Sequence, residues 1–130
     1  MTIEERAEQA AALKNGGSCN CCQAVLAVLQ DQTGLSQEQA HSIASGFGVG
    51  MGSLEGSCGA LIGAVLAAGL RLQGNGVHRT ARQISLSFKE ACGAVTCREL
   101  KGVGTGRILC PCDECVRTAV RIYGKAMDLK

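Results

Sequence analysis

The sequence predicts an all-α protein, a compact bundle of about five or six helices with a glycine-rich loop and cysteines at helix N-termini. Helical periodicity is strong and strand alternation weak, as where Cys22, Val25, Leu26 and Leu29 fall on one helical face. Helix start signals precede such segments, with Thr2 and Glu5, then Ser36 and Gln39, at capping-box spacing. Gly and Ala are abundant and Trp is absent, a composition suited to close helix packing.

Each element has its own signals. The first helix covers roughly residues 3 to 14 and stops at Gly16-Gly17. A second runs from about Asn20 to Gln32 and ends at Gly34. Ser36 starts a third, with Ala40, Ile43, Ala44 and Phe47 inward, and the glycine-dense loop "GFGVGMGSLEG" follows. Ser57 is the expected N-cap of a fourth helix reaching about Gln73. In it Gly59 and Gly63 form a G-x-x-x-G face for close backbone packing. A fifth helix spans roughly Val77 to Ala91. Thr96 caps a short turn, "CREL", and Pro111 suits the first position of a last helix running to about Met127. No repeat or linker divides the chain, so residues 1–130 read as a single domain.

A chain of 130 residues can bury a core without disulfides or metals, so stability does not explain nine cysteines. An odd number cannot all pair within one chain. The N-terminal "MTIEERAEQAAALKNGG" has no basic segment followed by an apolar run, so no secretory signal is expected and the cytoplasm is the expected location. Thiols stay reduced there, which favours metal ligation or redox chemistry over a disulfide framework. The apolar run from Cys58 to Leu70 falls short of the ~20 residues that cross a bilayer, so no membrane association is expected. With net charge +2 and only Phe47, Phe88 and Tyr123 as aromatics, the chain lacks the basic stripe and stacking platform of a nucleic-acid binder.

The thiols follow the helix starts. Cys19, Cys21 and Cys22 open the second helix, Cys58 the fourth, Cys97 the short turn, and Cys110, Cys112 and Cys115 the last. Unsatisfied N–H groups and the helix dipole favour thiolate at such positions, and thiolate is both nucleophile and metal ligand. If these ends converge, the thiolates form a site suited to an iron–sulfur cluster or zinc. Gly56 and Gly59 leave room for backbone N–H groups near the Cys58 sulfur. The glycines at 46, 48, 50 and 52 could act similarly or simply make a tightly turned connection.

Other features read more plainly. Cys112-Asp113-Glu114-Cys115 has C-x-x-C spacing, but its two carboxylates oppose thiolate formation and no strand precedes it, so half a metal site fits better than a thioredoxin-like motif. Cys19, Cys21 and Cys22 crowd one turn, where one ligates and the others pack. Cys92, four residues after Phe88, reads as core packing, while His41, His78, Arg98 and Arg107 read as surface residues. The glycine loop lacks both the strand and the spacing of a dinucleotide fingerprint.

The blocks "NCCQAVL", "GFGVGMGSLEGSCGALIGAVLAAG" and "FKEACGAVTCRELKG", with a cysteine before "VRTAVRI", together resemble the redox-active protein family named for its pattern C_GCAxxG_C_C. The resemblance covers most of the chain. It implies a small helical protein with four characteristic cysteines and iron–sulfur association. The matching positions are Cys21, Cys58, Cys97 and Cys112, with Cys19 and Cys22 flanking the first and Cys110 and Cys115 the last.

The resulting expectation is a redox or electron-transfer protein in which Cys21, Cys58, Cys97 and Cys112 or Cys115 bind an iron–sulfur cluster, [2Fe–2S] by preference, with Gly56 and Gly59 beside it. Zinc in a closed four-cysteine site is the first alternative, and a thiol–disulfide oxidoreductase the second. The expected partner is a redox protein, and the small-residue helix faces make a homodimer reasonable.

Overall fold

The computed structural model describes residues 1–130 and contains α-helices with no strands. They are α1 (Ile3–Asn15), α2 (Cys21–Val28), α3 (Gln30–Thr33), α4 (Gln37–Ala44), α5 (Gly59–Leu72), α6 (Val77–Cys92), α7 (Cys97–Lys101) and α8 (Cys112–Ala126). The all-α expectation holds, but the count is eight rather than five or six. The second predicted helix breaks at Leu29, whose φ of −108° and ψ of 19° leave helical geometry, and the "CREL" turn closes into a helix of its own.

Local signals set most of the ends. Thr2, Asn20 and Ser36 each form a complete capping box, and Gly34 ends α3 in the left-handed conformation. The N-cap of α5 is Cys58, one residue later than Ser57. Ile43 is 51% exposed, because α4 buries only the narrow stripe of Ala40 and Ala44.

α2 is the centre of the bundle, with Cys22, Ala24, Val25, Leu26 and Leu29 removed from solvent. It packs against α1, α4, α5 and α8. Its approach to α5 depends on the G-x-x-x-G face. A Cβ on Gly63 would lie 3.0 Å from the Val25 Cβ, and one on Gly59 would lie 2.7 Å from the Phe47 carbonyl oxygen and 3.1 Å from the Cys22 nitrogen. The small residues therefore bring the start of α5 directly against the start of α2.

α8 presents Cys115, Val116, Ala119, Val120 and Tyr123 to the core, and α1 lies along it. Ile3 covers Gly124, while Arg117–Glu8 and Arg121–Glu4 ion pairs, each 2.6 Å, tie the outer faces together. These exposed pairs fix orientation more than they add stability.

Candidate metal centre

Cysteines from four parts of the chain meet because three connections steer helix starts to one place. Residues 56–58 and 95–97 form a short antiparallel clamp. Cys58 donates its backbone N–H to the Val95 carbonyl at 2.7 Å, Cys97 donates to the Gly56 carbonyl at 3.0 Å, and Ser57 and Thr96 make an isolated bridge. The clamp sets α5 and α7 side by side with Cys58 and Cys97 at their starts. The segment before α8 then folds back onto α7, with the Leu109 and Cys110 N–H groups both donating to the Leu100 carbonyl. Asn20 joins the start of α2 to the end of α4 by donating to the Ala44 and Ser45 carbonyls.

The glycine loop takes the role of a tight connection. Its Gly52, Leu54 and Gly56 N–H groups are spent on carbonyls of Gly48, Val49 and Gly50 within the same segment. Gly50, at φ +57°, lies so close to Cys97 that a Cβ there would come 2.8 Å from the cysteine Cβ. Gly56 likewise faces Met51 and the Gly50 carbonyl, so its missing side chain serves backbone packing.

At the meeting point is a cavity of about 40 Å³, lined by Cys21, Cys58, Cys97, Cys110, Cys112 and Cys115, with Lys14 and Lys101 among the other walls. All five cysteines singled out in the sequence are there, and Gly59 is part of the lining. Gly56 is not among the lining residues. Cys19 instead borders a surface cleft of about 500 Å³ beside His41, and Cys22 is buried in the core. His41, His78, Arg98 and Arg107 are exposed, as expected.

Sequence reasoning missed Cys110, Cys92 and the two lysines. Cys92 does pack in the core, but its Sγ also lies within 4.8 Å of those of Cys110 and Cys115, and all three residues are buried. The one signal for it was its place as the last residue of a helix that ends shortly before Cys97; a helix-start rule could not find a thiol at a helix end. Lys14 and Lys101 are last-turn residues of α1 and α7, positions where a cation also suits the helix dipole.

The thiols differ in acidity. Cys112 is pulled down to about 6, first by a hydrogen bond from the Cys21 thiol and further by Lys101 and Lys14, against burial. The carboxylate of Asp113 opposes this only weakly, because it faces Asn15 and Arg117. The C-x-x-C carboxylates thus do not keep Cys112 neutral, contrary to the reading from sequence. Cys21, the donor in that pair and half-buried, is pushed up. Cys58 is lowered by the Cys115 thiol and by the Ala60 and Leu61 backbone N–H groups at the start of α5. Those amides are the backbone donors sought beside this sulfur. Burial raises Cys97, and it pushes Cys110 up to about 12.

The donor set decides what could be held. No carboxylate or imidazole lines the cavity, which disfavours hard cations, whereas thiolate suits zinc, copper(I) and iron–sulfur clusters. The two lysines offset part of the charge that several thiolates would bring into a buried site.

Comparison with known families now bears on this thiol-lined cavity. A family model described as "Putative redox-active protein (C_GCAxxG_C_C)" matches residues 19–126. The chain belongs to the C_GCAxxG_C_C family. The matched span begins at Cys19 and includes every cysteine of the cavity. No curated protein and no solved structure gives a significant match. No helix is long and apolar enough to cross a membrane.

Proposed function

We propose that this C_GCAxxG_C_C protein is an electron-transfer or redox-accessory protein that holds an iron–sulfur cluster through Cys21, Cys58, Cys97 and Cys112 or Cys115. The observation that carries the reading is the convergence of six thiols and two lysines, with no carboxylate or imidazole, on one cavity. Such a cluster supplies one-electron transfer, at a potential set by hydrogen bonds, charge and burial.

The chain's own residues do the rest. The Ala60 and Leu61 amides at the start of α5 direct N–H groups at the Cys58 sulfur and, with the Cys115 thiol, lower its pKa. Lys14 and Lys101 balance negative charge at the cavity wall, and Leu100 and Val49 limit water entry. A partner redox protein exchanges the electrons, and the reduced thiols suit a cytoplasmic location.

Replacing Cys58 with Ser tests this reading. The variant should keep its helical circular dichroism and lose its iron, at least ten-fold below the parent under anaerobic purification. Full retention of iron would overturn the assignment. Zinc that depends on Cys58, with no visible absorption, would convert the site to a closed zinc centre. A second reading, a thiol–disulfide oxidoreductase, is favoured by the Cys21–Cys112 hydrogen bond, which joins an acidified thiol to a protonated one. It requires two thiols to give two electrons and two protons to a disulfide acceptor. Metal-free protein would then lose two titratable thiols on mild oxidation.

A further inference from the structure

Nine cysteines exceed the four that a single cluster takes, and three of them form a close group of their own. Cys92 is the last residue of α6, Cys110 lies two residues before α8, and Cys115 is in the first turn of α8. Their Sγ atoms all lie within 4.8 Å of one another, and the residues are 4%, 6% and 2% exposed. Cys110 and Cys115 contribute to the cavity wall, but Cys92 does not. The group therefore forms the inner side of the wall, with Cys92 behind it.

Simple packing does not require this geometry. A buried free cysteine behaves as a small apolar side chain and gains nothing special from other sulfurs. Here the end of α6, the segment before α8 and the start of α8 aim theirs at one point. The Cys115 thiol also donates to the Cys110 carbonyl at 3.6 Å, which holds Cys115 toward this group.

We infer that Cys92, Cys110 and Cys115 form a second metal site, adjoining the cluster site, that takes a single zinc ion. Sulfur atoms bound to one zinc at ~2.3 Å lie nearly 4 Å apart, so sulfurs already within 4.8 Å need only small side-chain adjustments. Charge favours zinc over copper(I). Three thiolates around a divalent ion leave one net negative charge in the buried site, whereas around a monovalent ion they leave two. The fourth position faces the cavity, because two of the three ligands line it. The assignment also resolves the choice at the last helix: Cys115 belongs to the zinc site, and Cys112 completes the cluster ligands with Cys21, Cys58 and Cys97.

The Cys115 thiol also reaches the Cys58 sulfur, so the two sites adjoin, and the test tells them apart. Reduced full-length protein, stripped with a chelator, is titrated anaerobically with zinc against a chromogenic competitor, and thermal unfolding is followed with and without zinc. Cys92→Ala and Cys110→Ala are compared with Cys58→Ser. Both alanine variants should lose one zinc equivalent relative to the parent and most of the zinc-induced rise in Tm, while Cys58→Ser keeps that equivalent. Cobalt should give the parent a thiolate charge-transfer band that weakens in Cys92→Ala. If one alanine variant does not fold, the other carries the comparison, and the parent's cobalt spectrum counts its thiolate ligands directly.

Unchanged zinc stoichiometry in the alanine variants would overturn the second site. Loss of visible cluster absorption in Cys92→Ala would also overturn it, because the three thiols would then belong to a single cluster. A parent protein without a cluster but with a Cys92-dependent zinc would retain this site and reject the proposed function.

Discussion

The contact between α2 and α5 makes a quantitative prediction, because three glycines of one helix face different surroundings. Gly69 is open: a methyl group added there would meet only Val77 Cγ1, at 4.0 Å. Gly69→Ala should therefore gain the ordinary helix advantage of about 0.5–1 kcal/mol. Gly63→Ala gains the same but crowds the Val25 Cβ at 3.0 Å and the Cys22 carbonyl at 3.2 Å. It should be neutral to mildly destabilising. Gly59→Ala stands in the first turn, gains less, and meets backbone atoms at 2.7 and 3.1 Å that cannot rotate away. Overpacking of this kind costs about 1–3 kcal/mol, leaving a net loss of ~1–2 kcal/mol. Urea unfolding followed by circular dichroism reads the series. At the usual slope of about 1–3 kcal/mol/M, Gly59→Ala should lower the midpoint by ~0.5–1 M while Gly69→Ala raises it. A raised midpoint for Gly59→Ala would refute the close approach that places Cys58 at the cavity.

Other expectations follow from individual contacts. The Arg6 hydrogen bond holds the Asp31 carboxyl down to about 2, so its contribution is present above the ordinary carboxylate range and is lost as pH falls through about 2. Asp31 is more than half exposed, and solvent screening limits the contribution to about 1 kcal/mol. Asp31→Asn should cost that much in a urea midpoint at neutral pH and much less near pH 2; an equal cost at both would contradict the ion pair. Tyr123 is fully buried and donates its hydroxyl to Gln32 Oε1 at 3.2 Å. Tyr123→Phe should cost about 0.5–1.5 kcal/mol, measured by the same unfolding assay, and a neutral result would remove that bond from the account. With metal removed, Cys112 should react with iodoacetamide faster than Cys97 at pH 7, because one thiol is acidified and the other raised by burial. Site-resolved mass spectrometry checks the order.

Much of this was legible because it depends on local chemistry. The capping boxes at Thr2, Asn20 and Ser36 are written within four residues each, and the Cys58 amide donors follow from its place before a helix. The C-terminal boundary of α2 was not legible, because nothing between Asn20 and Gln32 breaks a helix and the turn at Leu29 is imposed by packing. Cys110 and Cys92 were obscured for a related reason. Their approach to Cys115 depends on residues 109–110 folding back to the Leu100 carbonyl, a contact without a local pattern. The glycine loop was ambiguous in sequence because φ > 0 permits both anion cradles and tight connections. The internal hydrogen bonds of Gly52, Leu54 and Gly56 decide for the connection.

The most direct test of the central reading is the visible absorption spectrum of anaerobically purified protein, measured with iron, zinc and acid-labile sulfide on the same sample. The expected result is a brown protein that bleaches on reduction, with iron and sulfide in equal amounts. A colourless protein without iron, which cannot be reconstituted with iron and sulfide, would contradict it.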